Sequence, residues 1–414
     1  MPTRNAILCS LSLLLVLLLP LNITGAEHKL NPRLAAAEAG LVPIIVEYKD
    51  GTTPDKQFLE YHNCSTRHVL KSLHGIAAEC PPEALGWISE NADVAQVWED
   101  EILQLTLDQT VPLINATISW ASFGNGTGIN VSIIDSGINT SHPGLAGQVI
   151  LQRDFTPENF LDDRCNHGTP VACVVGCIDA TYKGVAPGAK LFNAKVARVL
   201  NENPLVCGVS SSDAIAAIDW SIANGAQVIQ LSMGSPASSC YQSPISVAIN
   251  RTAQNITIVI PAGNTGPSDQ TINVPGCAEN ALTVGASNED TVESYSSRGP
   301  TDYGAQKPDI VAPGTLITAA TNDGVSFSSF TGTSFASPHV AGVVALMLQH
   351  HKLMPDQVKA ILKDTAINLS FPENAQGAGL VDAWAAVNET LSLPNETCTA
   401  KKEKHCFKKK KAKK

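Results

Sequence analysis

Four short segments carry side chains able to perform acyl-transfer chemistry. Ile133-Ile134-Asp135-Ser136-Gly137 is an apolar run that ends in a carboxylate and a turn. A carboxylate at a strand's carboxyl end can be buried yet held by turn amides, which suits orienting a histidine. Asn166-His167-Gly168-Thr169-Pro170-Val171-Ala172 puts an imidazole just ahead of an expected helix, with Thr169 as its cap and Pro170 at its first position. Gly332-Thr333-Ser334-Phe335-Ala336-Ser337-Pro338-His339 presents a hydroxyl at a helix start, with Pro338 expected in the first turn. The backbone N–H there has no intrahelical acceptor, and with the helix dipole it favours a developing oxyanion. Ile258-Val259-Ile260-Pro261-Ala262-Gly263-Asn264 ends a strand in small residues and an amide, and Asn264 can donate a second hydrogen bond to that oxyanion. Taken singly, each segment has a bland reading: a strand end, a capping histidine, a capped helix, a turn. Together they supply carboxylate, imidazole, hydroxyl and two donors, the requirements of nucleophilic acyl transfer.

The elements that must position these groups follow from periodicity. From about Val111, short apolar runs at Asn130–Ile134, Lys190–Ala197, Gln227–Ser232, Ile256–Pro261 and Leu282–Ala286 alternate with helical stretches. The helices are expected at Pro170–Cys177, Ser211–Ala223 and Pro244–Thr252, then Ser334–His350, Pro355–Thr365 and Leu380–Val387. Such alternation predicts an α/β fold, a mostly parallel central sheet with helices on both faces. Residues 27–106 read separately as a small α+β unit. It has strands at Val42–Tyr48 and Leu73–Cys80, a polar helical stretch between them, a helix at Pro82–Asn91 and an extended segment at Val94–Thr106. No internal repeat is evident.

The four segments resemble the characteristic blocks of the subtilase family of serine endopeptidases, in the chain order Asp, His, Ser listed for subtilisin. The gaps are 32 residues from Asp135 to His167 and 167 from His167 to Ser334. The resemblance spans about residues 111–388, and the G-T-S-x-A-S-P-H block alone is highly specific. It implies that Ser334 attacks the scissile carbonyl, His167 moves the proton, Asp135 holds the imidazole, and Asn264 with the Ser334 amide binds the oxyanion. By the same resemblance Ser232-Met233-Gly234 pairs with substrate and, with Ala262 and Gly263, borders the pocket for the residue preceding the cut. Gly208 and Val209, after Cys207, would flank the substrate's other side. Residues 27–106 resemble the family's inhibitory, ferredoxin-like prodomains, whose exit segment around Leu103–Thr110 would lie in the cleft and be cut there. The implied organisation is a signal peptide at 1–26, a prodomain at 27–106, a catalytic domain at 107–390 and a tail at 391–414. Three positions depart from the family's usual pattern: Pro170 and Cys173 replace a His and a Gly, and Phe335 stands where a Met usually follows the nucleophile. The competing function is a catalytically inactive relative that binds peptides without cutting them.

Composition sets the surroundings. Of 414 residues, 44% are hydrophobic and 16% charged, enough for a large core and against disorder. Residues 400–414 carry nine Lys and one Glu, so the net charge of −10 leaves −18 for residues 1–399. An acidic body excludes nucleic acid as an expected partner. Protein or peptide substrates and the chain's own prodomain are the partners expected, with the enzyme a monomer. The Lys-rich tail has two readings, a solvated charge run or retention on an anionic surface. Arg4 followed by the 15-residue apolar run Ile7–Leu21, with Thr24 and Ala26 beyond it, reads as a secretory signal. Ten cysteines remain after Cys9 and fall two, six and two, as expected if each group closes its own disulfides outside the cytosol. No C-x-x-C pair marks zinc. The chemistry needs no cofactor. The family resemblance allows structural calcium, but no ligand run gives it a position. Ten Asn-x-Ser/Thr sequons lie beyond Ala26; those at Asn130 and Asn255 are expected at the starts of buried strands, where a glycan would be hard to fit.

Overall fold

The structure is a computed structural model that describes residues 29–30, 34, 40–100, 102–104, 112–236 and 239–393. The signal-like run, residues 105–111 of the exit segment, and the basic tail with Cys398 and Cys406 lie outside the described residues.

The N-terminal unit runs β1 (Val42–Tyr48), α1 (Lys56–Tyr61), β2 (Ser65–Leu70), β3 (Gly75–Cys80), α2 (Pro82–Glu90) and β4 (Val94–Glu99). Its antiparallel sheet has the order β2-β3-β1-β4, the β-α-β-β-α-β arrangement of a ferredoxin-like unit. β2 follows the expected polar helix but was itself unmarked, because S-T-R-H-V-L has no clean alternation. β1 reads as a continuous apolar run because both of its faces are covered. Ile44 and Val46 pack with Leu59 of α1 and Leu85 and Ile88 of α2. Ile45 between them joins Leu70, Ala77 and Trp98 in a second cluster, shared with the larger domain. Alternation along a strand sends neighbours to opposite faces, so this sheet is glued on one side to its own helices and on the other to the main body.

A short strand β5 (Ile102–Gln104) leads out of this unit. The larger domain then runs α3 (Ala116–Phe123), β6 (Asn130–Asp135), β7 (Val149–Asp154), α4 (Gly168–Gly176), β8 (Lys190–Lys195), β9 (Ala197–Glu202), β10 (Leu205–Ser210), α5 (Ser211–Ala223) and β11 (Val228–Leu231). It continues through α6 (Pro244–Thr252), β12 (Thr257–Pro261), β13 (Leu282–Asn288), β14 (Thr291–Val292), β15 (Ile310–Pro313), β16 (Ile317–Ala320) and β17 (Phe327–Phe330). Helices α7 (Thr333–Leu348), α8 (Pro355–Thr365), α9 (Glu373–Gln376) and α10 (Ala383–Leu391) complete the described residues. The central sheet has the order β14-β13-β12-β11-β6-β8-β7, with β15 added beside β13. All its pairs are parallel except β13 with β14.

Each central strand feeds two cores. Val131 and Ile133 of β6 and Val259 of β12 face the cluster built with α4, α7, α8 and α10. Ile134, Ile258 and Ile260 face the cluster built with α5 and α6. Helix α7 is buried along its length from Thr333 to Met347, as its all-round apolar sequence requires. The chain leaves β6 toward β7 and β8 on one side and returns to β11, β12 and β13 on the other. The strand order therefore reverses at β6 and β11, and at such a reversal the carboxyl ends of the strands open a crevice. Asp135 ends β6, Ser232 follows β11 and Ala262 follows β12, so the predicted residues converge there. Asn255 is exposed, two residues ahead of the buried strand β12, which removes the expected obstacle to a glycan at that position.

Truncating Ile133, which is 1% exposed, to Ala should cost about 2–5 kcal/mol. Urea unfolding of a Ser334→Ala background should register this as a lower midpoint with unchanged slope.

Candidate active site

The site is assembled around a buried carboxylate–imidazole hydrogen bond. Asp135 and His167 are each 1% exposed. His167 Nδ1 lies 2.7 Å from Asp135 Oδ1, which also accepts the Ser136 amide at 2.7 Å. With Nδ1 facing a carboxylate, the proton is held on that nitrogen and Nε2 is the basic one.

The loop that carries His167 is fixed by Asp163, a residue the sequence reading passed over. Asp163 Oδ2 accepts the amides of His167 (3.0 Å) and Thr169 (2.9 Å), while Oδ1 accepts from Cys165 N (2.9 Å) and Ser136 Oγ (2.7 Å). Ser136 Oγ in turn accepts the Gly168 amide at 2.8 Å. Asp163 thus does the capping expected of Thr169, whose hydroxyl instead accepts from Asn139 N. Helix α4 starts at Gly168, with His167 at its N-cap position. An Asp ahead of a helix start was the available signal. Burial pushes the Asp163 carboxyl up, against its hydrogen bonds from Thr169 and Ser136. No side chain fits at Gly168: a Cβ there would lie 2.2 Å from the Gly137 carbonyl oxygen.

Ser334 is the second residue of α7, and the adjoining Phe335 ring packs edge-on against the His167 imidazole at 5.5 Å. Pro338 falls in the second turn of α7, not the first as expected. Its missing N–H would have bonded the Ser334 carbonyl four residues back. That carbonyl accepts instead from Ser232 Oγ at 2.6 Å, and Gln230 Nε2 ties Ser232 Oγ (2.6 Å) to Ser337 Oγ (2.7 Å). The segment predicted to border the cleft is therefore hydrogen-bonded directly to the serine's own backbone.

Asn264 is oriented by the same helix start. Its Oδ1 accepts from both Thr333 N and Thr333 Oγ1 at 2.9 Å, so its Nδ2 donor group is turned the other way. Asn264 follows Ala262 and Gly263, where Gly263 has φ +108° and donates its amide to Thr333 Oγ1. Ser232, Met233, Ala262 and Gly263 are buried, and Gly234 is half-buried. Gly208 and Val209 lie in β10, which pairs antiparallel with β9 on one side and β5 on the other. In the latter pair Gly208 faces Gln104 and Val209 faces Leu103, so the segment leaving the N-terminal unit is a third strand on that edge.

The disulfides depart from the expected pairing. Cys64–Cys80, Cys165–Cys207 and Cys240–Cys277 form, the second tying the His167 loop to β10. Only four of the middle six cysteines are used. Cys173 and Cys177 are buried thiols four residues apart at α4. Burial, then the neighbouring thiol, raises the Cys173 pKa well above that of a free cysteine.

Residues 126–381 match the profile of the subtilase family. The chain is a subtilase. It is 31% identical over 393 residues to the serine protease AprX of Bacillus subtilis (strain 168), covering 83% of this chain and 87% of the relative. It is 32% identical over 332 residues to the M-protease of Shouchella clausii (strain KSM-K16), across 77% and 80% of the two chains. Subtilisin DY of Bacillus licheniformis is 35% identical over 291 residues, 68% of this chain and 98% of that one. The fold matches fervidolysin of Fervidobacterium pennivorans, a keratinolytic enzyme related to subtilisin, with a TM-score of 0.67 and 21% identity. That superposition covers 87% of this subtilase and 62% of the fervidolysin chain. Membership makes the protein a serine endopeptidase acting on protein or peptide substrates.

The thiols of this subtilase give a direct check on its cysteine bookkeeping. Iodoacetamide without reductant should leave Cys173 and Cys177 unmodified in the native chain and label both in denaturant, as read by peptide mapping. A disulfide between them in the native protein would contradict this.

Proposed function

We propose that this subtilase hydrolyses peptide bonds through an Asp135-His167-Ser334 triad and an acyl-enzyme, and that it is exported as a zymogen. The observation that carries the reading is the buried 2.7 Å Asp135–His167 hydrogen bond at the crevice where α7 presents Ser334. In the proposed mechanism His167 Nε2 removes the proton from Ser334 Oγ as the oxygen attacks the scissile carbonyl. Asp135 holds the tautomer and faces the imidazolium that forms. The Ser334 N–H and Asn264 Nδ2 donate to the oxyanion, and the Asn264 orientation imposed by Thr333 supports that role. His167 then protonates the departing amine, and a water attacks the acyl-enzyme along the same path in reverse. Substrate binds as an added strand between Ser232-Met233-Gly234 and Gly208-Val209.

Residues 27–106 are the prodomain in this reading, 107–390 the catalytic domain and 391–414 the tail. The pairing of β5 with β10 supports it, since the exit segment takes the edge proposed for substrate. The three disulfides and the signal-like N-terminus support an extracellular enzyme. The prodomain is seated on α5: Arg67 pairs with Asp213 at 2.6 Å, His68 with the same carboxylate at 2.7 Å, and Ser72 N donates to Asp219 at 3.0 Å. Asp100 of the prodomain accepts from Ser212 N at 2.6 Å and from Ser212 Oγ at the start of that helix.

Mass analysis with casein tests the whole reading. Wild type should shorten near residues 103–110 and cleave casein, whereas Ser334→Ala should do neither; processing of Ser334→Ala in a protease-free host sinks self-cleavage. Asn264→Ala should lower kcat roughly a hundred- to a thousandfold. Wild type should resist peroxide because Phe335, not a thioether, adjoins the nucleophile. Phe335→Met should become sensitive, and rapid loss in wild type would refute the point.

The seat also predicts a pH response. Burial raises the Asp100 carboxyl to about 6, with neighbouring Asp213 adding to the rise and Ser212 and Arg67 opposing it. An acid that holds its proton more tightly when docked favours docking below its free value, about 4. The benefit is lost as pH rises through about 6. Inhibition by the cut prodomain should therefore weaken across that window. Asp100→Asn, which keeps an acceptor for Ser212, should flatten the slope.

A further inference from the structure

The three residues of the proposed triad sit on separate segments, and the third segment meets the other two through a hairpin. Strand β17 runs into Gly332 and the start of α7, while β16 and β17 form a two-stranded sheet of their own, outside the central one. The hairpin rests on the core through Ile317, Ala319 and Phe330. Apolar contact is non-directional, so it holds the hairpin down without fixing where it sits along that surface. The register has to come from hydrogen bonds, and three of them converge on one residue of the turn, Asn322. Its amide donates to Asn166 Oδ1 at 2.9 Å, its Nδ2 donates to the Asp163 carbonyl at 3.0 Å, and its carbonyl accepts from Asn139 Nδ2 at 2.8 Å.

Those partners lie on both of the other segments. Asn166 directly precedes His167 and holds φ +53°, a left-handed conformation that asparagine tolerates. Asp163 is the residue whose carboxylate gathers the amides of the same loop. Asn139 stands in the turn that follows Asp135, and its own amide donates to Thr169 Oγ1 at 3.0 Å. The hairpin turn is stiff on its own account: Asp323 Oδ1 accepts from Thr321 Oγ1, Val325 N and Ser326 N at 2.7, 2.9 and 2.8 Å. It also fits closely, since a Cβ on Gly324 would lie 2.9 Å from Ser141 Oγ. At the far end of β17, Phe330 stacks on Phe335 at 5.6 Å, and Phe335 meets the imidazole.

We infer that Asn322 is a positioning residue, which registers the hairpin, and Ser334 with it, against the loops that carry Asp135 and His167. It acts on proton transfer and attack, not on substrate binding. The inference rests on the proposed triad reading and adds the residue that aligns it. Displacing a reacting group by about 1 Å is enough to slow the chemical step by up to about a hundredfold. The Asn139 nitrogen that holds the Asn322 carbonyl is also the atom a glycan would occupy at the Asn139-Thr140-Ser141 sequon. The tie therefore requires that sequon to stay bare.

The test is kcat and KM on one peptide for wild type, Asn322→Ala, Asn322→Asp and Asn139→Ala, with active sites counted by fluorophosphonate labelling carried to completion. Both Asn322 variants should lower kcat about ten- to a hundredfold and leave KM within about twofold. Their rates of fluorophosphonate labelling should fall in parallel, because that reaction needs the same serine and imidazole but no peptide contact. Asn139→Ala should lower kcat too, and combining it with Asn322→Ala should lose less than the product of the two effects, as for residues that act as a unit. Asn139→Ala reaches the tie from the other side and decides the matter if neither Asn322 variant folds. An unchanged kcat, a loss confined to KM, or a glycan on Asn139 of fully active enzyme overturns the inference. A labelled wild type matched by its variants removes only the role of Asn322, whereas an unlabelled, inactive wild type removes the triad reading and this inference with it.

Discussion

A charged hydrogen bond in a dry interior needs its geometry fixed from every side, and the Asp135–His167 pair imposes that demand on the rest of the domain. Asp135 is fixed because β6 lies at the centre of a parallel sheet, with one face against α4 and α7 and the other against α5 and α6. His167 sits in no strand, so its position comes from polar contacts: Asp163 gathers four donors from Ser136, Cys165, His167 and Thr169. A buried carboxylate surrounded by donors is stable where an isolated one would not be. Strand and loop are therefore held by different physics, apolar burial for one and hydrogen bonds for the other.

The helix that carries Ser334 shows a similar division of labour. Its apolar surface buries it from Thr333 onward, yet Pro338 breaks its hydrogen-bond ladder one turn past the serine. The orphaned carbonyl belongs to Ser334 itself, and Ser232 satisfies it. The irregularity thus joins the Ser334 backbone to the strand proposed to receive substrate. Thr333 does the same on the other side by orienting Asn264.

Much of this was legible in the sequence. Helices Ser211–Ala223, Pro244–Thr252 and Pro355–Thr365 and strand Val42–Tyr48 have the boundaries their patterns predicted, because each begins at a clear Ser or Pro or has an unbroken apolar run. Asp135, His167 and Asn264 stand in the predicted places at element ends. Less visible were the edge strand β7 and the hairpin β9–β10, which are half exposed and carry mixed residues such as V-I-L-Q-R-D. Asp163 was missed because its partners are backbone amides, which leave no side-chain pattern. Cys173 and Cys177 were counted toward a disulfide because an even number permits pairing; only their placement one turn apart, in α4 and at its C-cap, distinguishes them.

Strand β10 ends at Ser210 and helix α5 begins at Ser211, without an intervening loop. The edge that pairs with β5 and the helix that receives Arg67, His68, Ser72 and Asp100 are consecutive backbone. A cut beyond Gln104 breaks one covalent bond and leaves every one of those contacts in place. Severing and unplugging are then separate clocks: the first is set by chemistry within one molecule and does not depend on concentration. The second is a dissociation, whose extent falls as the liberated fragment accumulates. A population of such molecules would switch on with a lag, and dilution would shorten it.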